Sequence, residues 1–374
     1  MYNKIIKIET LSTFVLKFYQ LNKVEYIIVG QGVAGSCMAM KLLQENKSFV
    51  VIDNHFHKAS AIAAGIFNPV VLKRFSIVWN ATNQINRLRE VFGQFEELLN
   101  EKYIYNFPVY RVFNDEQEKK TWLKKATTHP DLVDYLATDT EQLNDFSAIN
   151  NPIGSGEVLH TGRVDLTNLL NDFKNYLIEQ NQYIDEEFDF DFESLIMHDN
   201  HTNYKNIEAN KIIFAEGYNV LNNPYFKNLP VIGVKGEVLK IETKATLPEA
   251  VVKGKEFLMP LENNQYFVGA TYDRDHVNYE NTAEAKQYLV DGVQNFFKED
   301  FEVVEQHASI RPTVVDRRPI IGAHPIYQQL ICLNGMGTRG TMLAPVMVDE
   351  LYDFLENNQT IDKEADIKRF YDRF

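Results

Sequence analysis

Cysteine is nearly missing from this chain: Cys37 and Cys332 are the two residues of that type in 374. They lie far apart, in no metal-ligand or redox spacing, and read as small buried hydrophobes. Positive charge is also scarce, with 38 Lys and Arg against 52 Asp and Glu and a formal net charge of −14. Such a surface repels polyanions, so binding to nucleic acid or to an anionic membrane is disfavoured unless a local basic patch overrides it. No apolar run approaches the roughly 20 residues of a membrane span. Glu9 and Lys17 interrupt anything resembling a signal-peptide core. Repeats and low-complexity segments are absent, and a reducing cytoplasm is the expected setting.

The remainder is an ordinary globular composition, 45% hydrophobic and 24% charged, long enough for two or three domains and a full core without staples. Ile5, Ile8, Leu11, Val15, Phe18 and Leu21 recur at near-helical spacing and predict an added packing helix over 1–22. A short apolar strand is expected over 24–29, then an apolar helix through Leu43 and a buried strand over 48–53. Residues 82–101 predict a helix with Ile85, Leu88, Val91, Phe92 and Phe95 on one side. A strand over 108–113 and a charged helix follow. Pro, Asn and Gly near 150–156 mark a crossing between domains. Phe188, Phe190 and Phe192 alternate with carboxylates and predict a half-buried strand with one solvated face, in preference to a cation site. Strand-like runs fill 231–272. A late strand over 330–333, a glycine-rich turn and a helix over 341–356 close the fold.

The first chemical signal is Gly30-Gln31-Gly32-Val33-Ala34-Gly35, between the first strand and its helix, with Asp53 and Asn54 at the end of the next strand. Gly30 permits the tight turn, Gly32 lets backbone approach a pyrophosphate, and Gly35 allows close helix–strand packing. The helix N-terminus at Val33 and Ala34 offers N–H groups to phosphate, and Asp53 falls where an acceptor takes ribose hydroxyls. This pattern alone does not separate NAD from FAD. Three later features favour FAD. One is the small-residue run from Ala59 to Gly65, including Ser60 and Ala64, which lets backbone approach a flat ring or a diphosphate. Another is the buried strand ending in Ala215-Glu216-Gly217. The third is Gly335-Met336-Gly337-Thr338-Arg339-Gly340, leading through Thr341 into the last helix, whose N-terminus suits negative charge such as that on a reduced flavin. His55 and His57 have no third ligand nearby in sequence and read as loop residues, so no metal is expected.

The order of these motifs resembles the D-amino-acid oxidase superfamily, and within it glycine oxidase and its relatives, over about residues 24–358. The resemblance is carried by the glycine fingerprint, FVGATYDRD at 267–275, SIRPTVVDRRPIIG at 309–322 and GMGTRG at 335–340. The last of these, with GATYDR, is also similar to the flavin domain of the bacterial bifunctional enzyme that modifies the tRNA wobble uridine. The resemblance implies an α/β fold: a Rossmann-like, glutathione-reductase-like FAD-binding domain with an interleaved α+β substrate domain on a mainly antiparallel sheet. The expected division is an extension over 1–22, an FAD-binding domain from 23–75, 154–220 and 316–374, and a substrate domain from 76–153 and 221–315.

It also implies noncovalent FAD, hydride transfer from the carbon beside a neutral amine to flavin N5, imine hydrolysis, and reoxidation by dioxygen to give peroxide. No side-chain base is implied. In the matching motif Arg311 takes the position of the arginine that binds substrate carboxylate, which suits a planar guanidinium. Arg317 and Arg318 read as surface ion pairs, and Arg339 as a brace for the loop over the flavin. Asn68, before Pro69, is placed on the flavin's substrate face. Phe257 stands two residues before Met259, where several relatives carry a tyrosine, so Tyr266 or Tyr272 is the expected substitute and glycine is not implied as the substrate.

The resulting expectation is an FAD oxidase for a small amine bearing a carboxylate, with no oligomeric state implied. One alternative is oxidative demodification of a carboxymethylaminomethyl-uridine in tRNA, against which stand the acidic balance and the lack of room for a partner methyltransferase domain. An NAD-dependent dehydrogenase leaves 309–340 without a purpose. A flavin-binding protein without turnover is at odds with an intact Arg311.

Overall fold

Two sheets face one cavity, and each is assembled from distant parts of the chain. The computed structural model describes residues 23–54 and 59–374; the helix expected over 1–22 and the His55/His57 pair lie outside the described residues. In chain order the elements used below begin with β1 (Lys23–Val29), α1 (Val33–Gln44), β2 (Phe49–Asp53), α2 (Ala81–Leu99), β3 (Val109–Val112), α3 (Glu116–Thr128) and β4 (Ser155–Val158). Then come α4 (Leu166–Glu179), β5 (Tyr183–Asp185), β6 (Leu195–Met197), β7 (Thr202–Tyr204), β8 (Ile207–Phe214), β9 (Val231–Glu242), β10 (Val251–Lys253) and β11 (Phe257–Pro260). The last are β12 (Gln265–Gly269), α5 (Ala283–Gln294), β13 (Glu302–Val314), β14 (Ile320–Ala323), β15 (Leu330–Asn334) and α6 (Gly340–Glu356).

The first sheet has eight strands. Strands β5, β2, β1, β8 and β15 run parallel in that order, while the β6–β7 hairpin and β14 add antiparallel edges. Its parallel centre is apolar on both faces, as sheets covered on both sides must be. The two-residue period of a strand sorts the side chains: Tyr26, Ile28, Phe49, Val51 and Ile213 pack under α1, α2, α4 and α6. Ile27, Val29, Val50, Ile52, Ile212 and Phe214 pack on the other face with Phe188, Tyr204 and Phe226.

The second sheet has seven strands in the order β13-β9-β12-β11-β10-β3-β4, antiparallel except for β10 beside β3. Leu239, Ile241, Val252, Leu258 and Val268 point to its back, where Leu289 and Val293 of α5 cover them. Their sequence neighbours Val238, Lys253, Phe257, Phe267 and Gly269 point to the front, into the cavity.

Three sequence expectations are corrected. Residues 186–193 form no strand. Phe188 folds inward to stack on Tyr204 with centroids 4.2 Å apart, Phe192 is 82% exposed, and the Asp189 carboxylate accepts from Asp191 N and Ser194 Oγ in a turn. The alternation of Phe and acid therefore reflects an aromatic plug in a loop. The chain also crosses between sheets later than 150–156, because β4 hydrogen-bonds along β3 in the second sheet. Finally, α2, expected with the substrate region, belongs to the layer covering the first sheet. Its apolar face (Ile85, Leu88, Val91, Phe92, Phe95) joins the cluster of α1 and α6, and Arg87 pairs with Asp349 of α6. Among the described residues no helix is long and apolar enough to cross a membrane.

Candidate cofactor and substrate site

A cavity of about 840 Å³ lies between the carboxyl ends of β1, β2, β8 and β15 and the front of the second sheet. Ligand pockets span about 300–1,000 Å³, and in open α/β sheets they sit outside the carboxyl ends of the strands. The β1–α1 turn forms one wall. Gly30 has φ +97°, a conformation that penalises any Cβ. Asp53 at the end of β2 ties the turn down: its Oδ1 accepts from Gln31 N at 2.8 Å and its Oδ2 from the Tyr183 hydroxyl at 3.1 Å.

Two helices begin on this cavity. The N-caps of α3, α4 and α5 (Asp115, Asp165 and Thr282) satisfy the first turn with a side-chain oxygen, whereas Gly32 and Arg339, which precede α1 and α6, give no such bond. Asn80 before α2 likewise gives none, but the N-termini of α1 and α6 are the ones that turn the positive end of a helix dipole to the cavity. Ser60 Oγ accepts from Val33 N at 3.1 Å and keeps its own hydrogen for an acceptor.

Two half-buried guanidiniums face the same space. Arg339 Nη1 donates to Asn68 O at 3.0 Å, joining the loop before α6 to the segment after Gly65. Arg311, on β13, donates from Nη1 to Thr271 O at 3.1 Å, and its guanidinium lies flat over Gly236, where a Cβ would overlap it. Burial lowers both guanidinium pKa values, and no carboxylate is among the groups acting on either. Arginine stays protonated regardless, so each is a desolvated cation with donors to spare. Ser309 Oγ, two residues before Arg311 on the same face, is buried without a hydrogen-bond partner.

Among the candidates read from the sequence, Gly35 and Tyr266 do not reach the cavity; Gly35 lies behind the turn. Its role is packing, since a Cβ there would overlap the Gly30 carbonyl oxygen. Gly30, Gly32, Val33, Ala34, Asp53, Asn54, Ser60, Ala64, Gly65, Asn68, Ala215 and Gly217 line the first-sheet side and its flanking loops. Gly337, Thr338, Arg339, Gly340 and Thr341 line the side by α6, and Tyr272 and Arg311 the side by the second sheet. Of the two proposed substitutes for a missing tyrosine, Tyr272 borders the cavity and is 53% exposed, while Tyr266 packs with the cluster behind the sheet.

Glu216 and Lys253 are wall residues that were not singled out from the sequence. Glu216, within the Ala-Glu-Gly strand end, is pushed up to about 7 by burial, with the Asn223 amide at 2.8 Å opposing the shift. Lys253, at the end of β10, has its ammonium 4.6 Å from the centre of the Phe257 ring. Nothing in the local pattern of β10 separates Lys253 from a solvated strand lysine; only the closure of the second sheet over the first brings it inside.

The residues fit FAD on their own chemistry. A glycine turn with its carboxylate, two bare helix N-termini and small side chains from Ala59 to Gly65 suit a diphosphate and a flat ring, and the cavity also reaches the front of a second sheet. The model of the FAD dependent oxidoreductase family matches residues 25–353. The chain is 26% identical over 151 residues to the tRNA 5-methylaminomethyl-2-thiouridine biosynthesis bifunctional protein MnmC of Idiomarina loihiensis, a match covering 38% of this chain and 25% of that relative. The chain therefore accounts for only about a quarter of that relative's length. Glycine oxidase from Geobacillus kaustophilus superposes with a TM-score of 0.76 at 20% identity, covering 91% of this chain and 96% of that one. Iminodiacetate oxidase from Chelativorans sp. BNC1 superposes with a TM-score of 0.75 at 18% identity, covering 91% and 98%. The matched span runs from the first strand of the nucleotide sheet into the helix that closes the cavity, and with it the chain belongs to the FAD dependent oxidoreductase family.

Proposed function

We propose that the protein binds FAD noncovalently and oxidises the C–N bond of a small amine that carries a carboxylate. The observation that carries this reading is Arg311, a half-buried cation with no carboxylate partner among the described residues, on the face of the second sheet opposite the nucleotide turn. A planar guanidinium takes a carboxylate through two parallel charge-assisted bonds. FAD held by the Gly30–Gly32 turn, Asp53 and the N-termini of α1 and α6 would supply the two-electron chemistry, as the acceptor of a hydride from the carbon beside the neutral amine, and dioxygen would take the electrons from it. The chain's own residues bind and orient. Arg311 holds the carboxylate, and the rigid β9–β13 pairing fixes its reach. Arg339 holds the Asn68 segment against the loop before α6. The N-terminus of α6 supports negative charge developing beside it.

The test is an anaerobic titration of the FAD-loaded protein with glycine, sarcosine, D- and L-amino acids, and a carboxymethylaminomethyl nucleoside, free and in tRNA. Bleaching by a small carboxylated amine supports the reading, and bleaching by the modified tRNA alone replaces it with demodification of tRNA. Arg311→Ala removes two charged bonds at about 1.5–3 kcal/mol each, which raises KM on the order of 10²–10⁴-fold. An unchanged KM removes Arg311 from the substrate site.

A further inference from the structure

The front of the second sheet holds a second cation in the same cavity. Val238, Gly269, Phe257 and Lys253 are direct cross-strand partners on β9, β12, β11 and β10, so they form one lateral row on one face. All four line the cavity. Lys253 reaches back along this row, its ammonium above the Phe257 ring. Its one close acceptor among the described residues is the Lys255 carbonyl. Glu256 pairs with it at 4.0 Å, beyond hydrogen-bond range. An ammonium has three N–H donors, so the cation has bonds left to make. Behind it, Arg111 pins the strand end by donating to Gly254 O at 2.6 Å, and Arg111's own charge is met by Glu118.

The distance between the two cations follows from the register. The Arg311 guanidinium lies over Gly236, two residues along β9 from the row, and the Lys253 ammonium lies two strands away over Phe257. At ordinary strand spacing and rise this separates the charges by about 12 Å. A charged hydrogen bond at each end leaves on the order of 5 Å between two carboxylate carbons, the length of about four single bonds. Burial brings the Lys253 ammonium down to about 8, against the pull of Glu256 and with help from Arg111, so it remains charged at neutral pH.

We propose that Lys253 is a specificity-determining residue which takes a second carboxylate of the substrate, so that the preferred substrate is a small dicarboxylic amine held between Arg311 and Lys253. This rests on the oxidase reading for its substrate. The subsite itself is tested separately with unreactive diacids.

The FAD-loaded wild type, Lys253→Met and Lys253→Arg are titrated with glutarate and with butyrate, following the flavin's visible spectrum. The same proteins are then reduced anaerobically with glutamate and iminodiacetate, and with alanine and sarcosine. The wild type binds glutarate at least ten-fold more tightly than butyrate, Lys253→Met brings that ratio near one, and Lys253→Arg restores most of it. A ratio near one in the wild type, or a ratio retained in Lys253→Met, overturns the proposal. If no amine reduces the flavin, the oxidase reading fails while the glutarate ratio still judges Lys253. If only the monocarboxylic amines reduce it, the oxidase reading stands and the dicarboxylate proposal falls.

Discussion

The contact between Gly236 and Arg311 makes one alanine substitution a test of the whole substrate argument. Gly236 sits inside β9 opposite Ser309, and its backbone is ordinary for a strand, so alanine introduces no conformational strain. The space above it is filled by guanidinium, and the ideal Cβ position falls inside that group. In Gly236→Ala the head of Arg311 is displaced, while its stem and its strand stay in place. A shift of that size breaks the alignment needed for two parallel bonds and leaves at most one. One charged bond is worth about 1.5–3 kcal/mol, so KM for a carboxylated amine rises roughly 10- to 150-fold. An amine lacking the carboxylate is unaffected, since it never used the bond. FAD content and Tm act as controls for folding. The two substitutions are also non-additive: once Arg311 is Met, adding Gly236→Ala costs nothing more in KM. Equal losses for the carboxylated and uncarboxylated amines, or additive losses in the double variant, would refute the assignment of Arg311 to the carboxylate.

Two further outcomes follow from other parts of the wall. Asp53→Ala removes the acceptor of Gln31 N and of the Tyr183 hydroxyl. FAD affinity, measured by reconstituting the apoprotein, then falls roughly 10- to 150-fold; an unchanged affinity would take Asp53 out of the cofactor site. Glu216 is raised from an ordinary 4.5 to about 7, so between those values the folded protein binds more protons than the unfolded chain. Its stabilising protonated form is therefore lost as pH rises, at a cost of about 1–3 kcal/mol by pH 8 relative to pH 4.5. Glu216→Gln flattens that slope in thermal melts taken from pH 5 to pH 8, and a slope unchanged by the substitution would assign it to other groups.

The nucleotide half of the fold was legible because its signals are local. Glycines at 30 and 32 serve one turn, and Asp53 closes it from the end of the adjacent strand, so periodicity and spacing carry the geometry directly. The helices beginning at Val33 and Gly340 likewise announce themselves by a glycine-rich turn after a buried strand. The aromatic run at 188–192 misled because alternation is shared by a strand and by a loop that draws Phe188 and Phe190 inward, and only Tyr204 and Phe214 decide between them. The placement of α2 and β4 depends on partners far away in sequence, Asp349 for the first and Val109–Val112 for the second. Lys253 reaches the cavity wall only because the second sheet closes over the first.

The way the sheets share the chain also sets an order of events for a polypeptide made from its N-terminus. The cavity wall starts at Val29 and takes its last pieces from Leu333 to Thr341. The central strand β8 is complete at Phe214, yet its partner β15 is not made until Asn334. A growing chain therefore has no finished berth for a dinucleotide until Thr341 has been joined. The cofactor is a late passenger: the chain must bring both sheets together around an empty space before there is anywhere for a flavin to sit.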